Sequence, residues 1–280
     1  MLVTPVRLLS FAVVIVLLVT GAEVLAQSNP FDGLDTRGRA YTDPALYAKS
    51  KAQWLARVEA MPDNVDVLEG AADFFIIRER PLAAELFERA RALEPNNPKW
   101  LQRLSQLHRL NAASGDVAEA RLALSLMERA NDMSAGVNQA AALTDLPAMA
   151  FDAGDLQKAR AYAERLLREA TSQQGGWNYG NAVHKGNLIL GRIAAAEGRL
   201  ADAVTFLRAA GETPGSPQLN SFGPNMTLAK DLLERGERDA VLAYFEACRV
   251  FWKMGGSRLD SWIQDVQAGS VPNFGANLRY

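Results

Sequence analysis

Small and large apolar side chains alternate at helical spacing from Asn64 to Asn97, and this pattern restricts the fold more than any other feature of the chain. The segment NVDVLEGAADFFIIRERPLAAELFERARALEPNN reads as two amphipathic helices, hinged at Arg78–Pro81 and stopped at Pro95. Ala71, Ala83 and Ala90 supply notches, while Val67, Phe74 and Phe87 supply knobs, so two such helices can interlock. Phe74 and Phe87 are expected in the core.

Related units follow. Asn97-Pro98 opens a second pair, with Leu101, Leu104 and Leu107 on its first helix and Ala120, Leu124 and Met127 on its second. Gly115-Asp116 turns between them, and Glu119 completes a D-x-x-E capping box. A third pair carries Leu143, Leu146 and Ala150, then Gly154-Asp155, then Ala159, Ala163 and Leu166. Pro147 falls inside its first helix, where it should remove a hydrogen bond and bend the chain. The fourth pair runs through Leu190-Gly191, Gly198, Ala203, Leu207 and Ala210. The fifth runs through Leu228-Ala229, Leu232, Gly236, Val241, Phe245 and Cys248.

A helix opened by Asp43-Pro44 precedes the first pair, carrying Leu46, Tyr47, Trp54, Leu55 and Val58 as far as Met61-Pro62. After a Gly255-Gly256 break comes an amphipathic helix with Leu259, Trp262, Ile263 and Val266. The tail, with Phe274, Leu278 and Tyr280, is expected to lie against the body.

The first pair resembles the tetratricopeptide repeat (TPR), whose pattern is W-x2-L-G-x2-Y, A-x3-F and a closing P. Val67 stands for the tryptophan, Gly70-Ala71 for the Leu-Gly step and Phe74 for the tyrosine. Ala83, Phe87, Ala90 and Pro95 fit unchanged. Leu190-Gly191 matches the Leu-Gly step of the fourth unit, and His108 takes the tyrosine place in the second, which suggests a packed, hydrogen-bonded core residue. The resemblance covers roughly residues 64–252. It implies an all-α fold: a right-handed α-solenoid of about five TPR-like helix hairpins with N- and C-terminal capping helices. The repeat domain would span 43–252, and the capping helix and tail 253–280. The motif is a packing code, so it implies a protein- or peptide-binding scaffold and names no partner. Lys and Asn do not fall in the carboxylate-clamp spacing of some members, and that specificity is not carried over. The blocks NAVHKGN (181–187), SPQLNSFGPNM (216–226) and PNFGANL (272–278) also resemble a tail recurring in exported bacterial repeat proteins, without an assigned role.

Gly115, Gly154, Gly198 and Gly236 are 39, 44 and 38 positions apart, against about 34 for the repeat. The surplus falls in Thr171–Ala182 and Gly211–Asn225. Both connect one hairpin to the next, so both should emerge on the same edge as neighbours.

Residues 1–26 read as a signal peptide. Arg7 is followed by an apolar run from Leu8 to Thr20, and Val24-Leu25-Ala26 suits a cut before Gln27. Residues 27–42 read as a linker. The protein is thus expected to be exported, periplasmic or secreted, with an uncleaved N-terminal anchor as the alternative and the only membrane attachment. Net charge is −2, which gives no basic excess for nucleic acid. Cys248 is the only cysteine, so no internal disulfide can form. His108 and His184 lie in different units, and no ligand set for a metal or cofactor is expected. No catalytic motif is present. Asn225-Met226-Thr227 fits the glycosylation triplet, a pattern short enough to arise by chance.

Two surfaces compete for function. The insertions gather Trp177, Asn178, Tyr179, Asn181 and His184 with Gln218, Asn220, Ser221, Phe222 and Asn225. Aromatic faces beside uncharged donors and acceptors suit a peptide or sugar; the same residues also suit helix caps and turns. Helical phase places Lys99, Gln102, Gln106, Arg109, Lys185, Arg192 and Lys230 along the inner face of the first helices, either as a mildly basic groove or as a solvated charged face. The expected function is an extracytoplasmic protein- or peptide-binding scaffold without catalytic activity. The alternative is a small-ligand or glycan site, or a weak enzyme, at an insertion pocket around His184.

Overall fold

The computed structural model describes residues 43–172, 175–176 and 178–278. The expected leader and linker, Trp177 and Tyr280 lie outside these residues. Every helix or strand assignment among the described residues is helical, so these residues form an all-α fold. Packing divides it into two compact units between Leu93 and Glu94. The span 43–252 expected as one repeat domain straddles that division.

The first unit contains α1 (Pro44–Ala60), α2 (Val65–Phe75) and α3 (Arg80–Leu93). The Asp43 carboxylate accepts from the backbone N–H of Ala45 and Leu46, so two end donors of α1 are satisfied, and Pro44 sits where no donor is needed. Trp54 is buried as expected, whereas Leu55 is 40% exposed. The face of α1 that packs is Tyr47, Ser50, Trp54 and Val58. In the α2–α3 hairpin, Ala71, Phe74, Ala83, Phe87 and Ala90 are all buried. Leu68 is fully buried where the pattern pointed to Val67, which is half-buried. The contact stripe is therefore displaced by one residue at the start of α2. Gly70 lets the Trp54 ring approach: a Cβ there would lie 2.5 Å from the indole.

The second unit holds α4 (Pro98–Ala112), α5 (Val117–Asp132), α6 (Gly136–Asp152), α7 (Leu156–Ser172), α8 (Tyr179–Ala196), α9 (Leu200–Gly211), α10 (Pro217–Phe222), α11 (Thr227–Leu233), α12 (Arg238–Cys248) and α13 (Gly256–Gln267). Successive helices from α4 to α9 pack on one another, and α8 also touches α6 and α11. Gly154 and Gly198 hold φ of +77° in the turns that close α6 and α8, which a side chain would resist. Pro147 is accommodated within α6, which continues through it.

One apolar cluster joins α5 to α8 through Leu143, Leu146, Ala163, Leu166 and Ile193. A second joins α8 and α9 to the C-terminal helices through Leu207, Leu228, Val241, Phe245, Trp262 and Phe274. Gly191 lies where α8 meets α11: a Cβ there would sit 2.3 Å from the Leu228 side chain. This close approach is the physical content of the Leu-Gly step.

Several details differ from the sequence reading. Asp116 caps α5, accepting from Ala118 and Glu119 N–H. The Glu119 carboxylate is instead 2.6 Å from His108 Nδ1, so the capping box is half made. His108 is correspondingly half-buried at the surface of α4. A short helix, α10, forms within the second insertion, capped by Ser216. The tail lies on the body through a fully buried Asn277, whose amide donates to the carbonyls of Phe222 and Pro224. Its own carbonyl accepts from Met226 N–H at 2.7 Å.

Candidate functional site

The two insertions are neighbours, and hydrogen bonds join them. Thr213 Oγ1 donates to the Gly180 carbonyl (2.9 Å) and Ser216 Oγ to Asn181 Oδ1 (2.7 Å). Asn181 Nδ2 donates to Asn178 Oδ1 and Gln218 Oε1, both at 3.1 Å. Asn178 in turn donates to Thr144 on α6 (2.9 Å). Gly180 and Gly215 make the approach possible, because a Cβ on Gly180 would lie 1.8 Å from the Gly215 carbonyl oxygen.

His184 is the buried centre of this edge, 1% exposed. Its Nδ1 lies 3.0 Å from the Ala210 carbonyl, and its Nε2 accepts the Asn225 N–H at 3.1 Å. A carbonyl can only accept, so Nδ1 carries the proton and Nε2 is bare. Tyr244 stacks at 6.5 Å, and Phe251 sits edge-on at 6.4 Å. Burial, opposed by the Ala210 bond and helped by the Lys185 charge, pushes the imidazole pKa down to about 4. With both nitrogens engaged and no solvent access, the ring is a neutral clasp between α8, α9 and the second insertion.

The remaining insertion residues divide. Tyr179 packs on the apolar cluster. Asn220 and Phe222 are exposed, Phe222 at 60%. Asn225 Oδ1 accepts from both the N–H and the hydroxyl of Thr227, so the glycosylation triplet forms a local turn. Asn225 is also among the residues that line a cavity.

That cavity, of about 340 Å³, opens between the first helices of successive pairs. Arg109 comes from α4, Asp145, Ala148 and Asp152 from α6, and Lys185, Leu188, Ile189 and Arg192 from α8. Thr227 at the start of α11 and Leu278 of the tail complete the lining together with Asn225. Helical spacing explains the layout. Asp145 and Asp152 are seven apart on α6, as are Lys185 and Arg192 on α8, so each pair occupies one face two turns apart.

Cross-helix ion pairs result. Lys185 Nζ is 2.8 Å from Asp145, and Arg192 Nε is 3.0 Å from Asp231 on α11. Arg192 reaches Asp152 only at 4.0 Å, and its guanidinium lies 4.2 Å over the Phe151 ring. Burial would raise the Asp145 carboxyl, but the Lys185 and Arg109 charges outweigh it and hold it below its ordinary value. Asp152 lacks that compensation. Burial wins over Arg192 and Arg109, and its carboxyl is raised.

Three of the seven groove residues expected from helical phase, Arg109, Lys185 and Arg192, thus share one cleft. The other four do not line it. Lys99 lies 4.8 Å over the Trp100 ring, Gln106 accepts from Arg103, and Lys230 pairs with Glu234 at 3.4 Å. Gln102 is half-buried on α4. The sequence reading missed Asp145 and Asp152, whose seven-residue spacing mirrors that of Lys185 and Arg192. Pro147 between them obscured the register of α6.

Among the described residues, no group of three or more His, Cys, Asp or Glu side chains is placed to hold a metal ion, and no helix is long and apolar enough to cross a membrane. No protein-family model matches the chain, and no curated protein matches it.

Proposed function

We propose that the protein is a non-catalytic, TPR-like binding scaffold, an α-solenoid of about five hairpins, that holds a peptide ligand in the cleft between α4, α6 and α8. The observation that carries this reading is the convergence of Arg109, Lys185 and Arg192, from two different first helices, on one cavity about 340 Å³ in volume. Charged side chains over an apolar floor give both orientation and affinity. The insertion edge supports the fold instead, because its polar groups are largely committed to one another. The apolar leader at residues 1–26 supports export, with the peptide met outside the cytoplasm.

A random-peptide display selection on the purified protein tests this. Selected peptides lose affinity with Arg192→Gln and keep it with Phe222→Ala, which alters the exposed insertion edge. The reading falls if no peptide is selected, or if Phe222→Ala abolishes binding while Arg192→Gln does not.

A further inference from the structure

Three cations, Arg109, Lys185 and Arg192, and two anions, Asp145 and Asp152, line the cleft, and Asp231 beside it takes Arg192 as its partner. Lys185 is committed to Asp145 at 2.8 Å, and Arg192 to Asp231 at 3.0 Å. One cation and one anion are left over. The Arg109 side chain has no hydrogen bond or ion pair among the described residues, although its charge acts on both Asp145 and Asp152. Asp152 has a single ion-pair contact, to Arg192 at 4.0 Å, with its side chain 48% exposed.

A purely anionic ligand would satisfy Arg109 and leave Asp152 facing added negative charge. A purely cationic ligand would do the reverse. Only a ligand carrying both signs completes both groups, and a charged hydrogen bond to each is stronger than a neutral one. The lining also includes the apolar side chains of Ala148, Leu188, Ile189 and Leu278. The cavity is at the small end for ligand sites, which run from about 300 to 1,000 Å³. The two aspartates of α6 are about 10 Å apart along the helix axis, roughly the reach of three extended residues.

We infer that the cleft is a site for a small zwitterion, with an ammonium held by Asp152, a carboxylate held by Arg109, and an apolar side chain against Leu188, Ile189 and Leu278. A free α-amino acid and a di- or tripeptide both have this chemistry. The inference rests on the reading of the same cleft as the peptide site.

The test is calorimetric titration of the full chain after a thermal-shift screen of the twenty free amino acids and a panel of apolar di- and tripeptides. The best binder is then compared with its N-acetyl form, its C-amide form and the doubly capped form. Each cap is expected to weaken binding by about tenfold or more. Arg109→Gln should abolish the penalty for amidation and leave that for acetylation, and Asp152→Asn the reverse. Both variants should keep the wild-type melting temperature, since neither group has a close partner to lose. Which arm binds, amino acid or peptide, identifies the source. Equal binding of capped and uncapped peptides overturns the inference while the peptide-binding reading stands. So does binding confined to long display-selected peptides, or affinity unchanged in both variants. If neither zwitterions nor display-selected peptides bind, both readings fall.

Discussion

Protonating His184 should cost the protein much of its stability, and the size of the loss follows from the ring's surroundings. The folded pKa is about 4 against an ordinary 6.5, because the charged form would lose solvent and stand beside Lys185. Above pH 6.5 the ring is neutral in both states, and the stabilisation is fully present. Below it, the unfolded chain binds a proton that the folded chain does not, so stability falls as pH falls. The slope from this one group approaches about 1.4 kcal/mol per pH unit and accumulates to about 3 kcal/mol by pH 4. The geometry agrees in sign: protonated Nε2 can no longer accept the Asn225 N–H, so the second insertion loses one of its hydrogen bonds to α8. Urea unfolding of wild type and His184→Gln from pH 8 to 4 measures it. The variant should be less stable at pH 8, and the gap between the curves should narrow by about 3 kcal/mol towards pH 4. Carboxylates titrate in both proteins and cancel in the difference. Parallel curves, or an imidazole signal from His184 titrating near pH 6.5 by NMR, would refute the reasoning.

Other outcomes are equally specific. Gly191→Ala should lose about 1–3 kcal/mol in chemical denaturation, because its Cβ would meet Leu228 at 2.3 Å. An unchanged midpoint would mean that α8 and α11 do not approach this closely. Phe87→Ala, removing a fully buried ring in the first unit, should cost about 3–5 kcal/mol, and a loss below about 1 kcal/mol would contradict its burial. Asn277→Ala leaves the Phe222 and Pro224 carbonyls without their donor. It should cost about 1–3 kcal/mol and raise proteolysis within residues 270–278, a result that an unchanged digestion pattern would contradict.

How far the residues foretold this arrangement depended on what each pattern encodes. Small/large alternation reports helix-on-helix packing directly, so Ala71, Phe74, Ala83, Phe87 and Ala90 could be placed in a core from spacing alone. The neighbourhood of the two insertions was also legible, because connections of one kind emerge on one edge. What those loops do was not legible. Asn and His have the same identity whether they hold a ligand or one another, and only geometry shows that Asn181, Ser216 and His184 are mutually engaged. Within the cleft, Arg109, Lys185 and Arg192 followed from helical phase. Their acidic counterparts did not, because charge pairing across helices depends on rotation about each axis, and Pro147 left that of α6 undetermined. The tail was expected to lie against the body, but which of its residues would be buried was not legible, since no periodicity positions Asn277.

Methyl NMR of the protein with a display-selected peptide reads whether ligand occupies the cleft between α4, α6 and α8. Shifts should concentrate on Leu188, Ile189 and Leu278, which line the cleft. Shifts concentrated instead on Leu219 and Val183 at the insertion edge, with those three methyl groups unmoved, would contradict it.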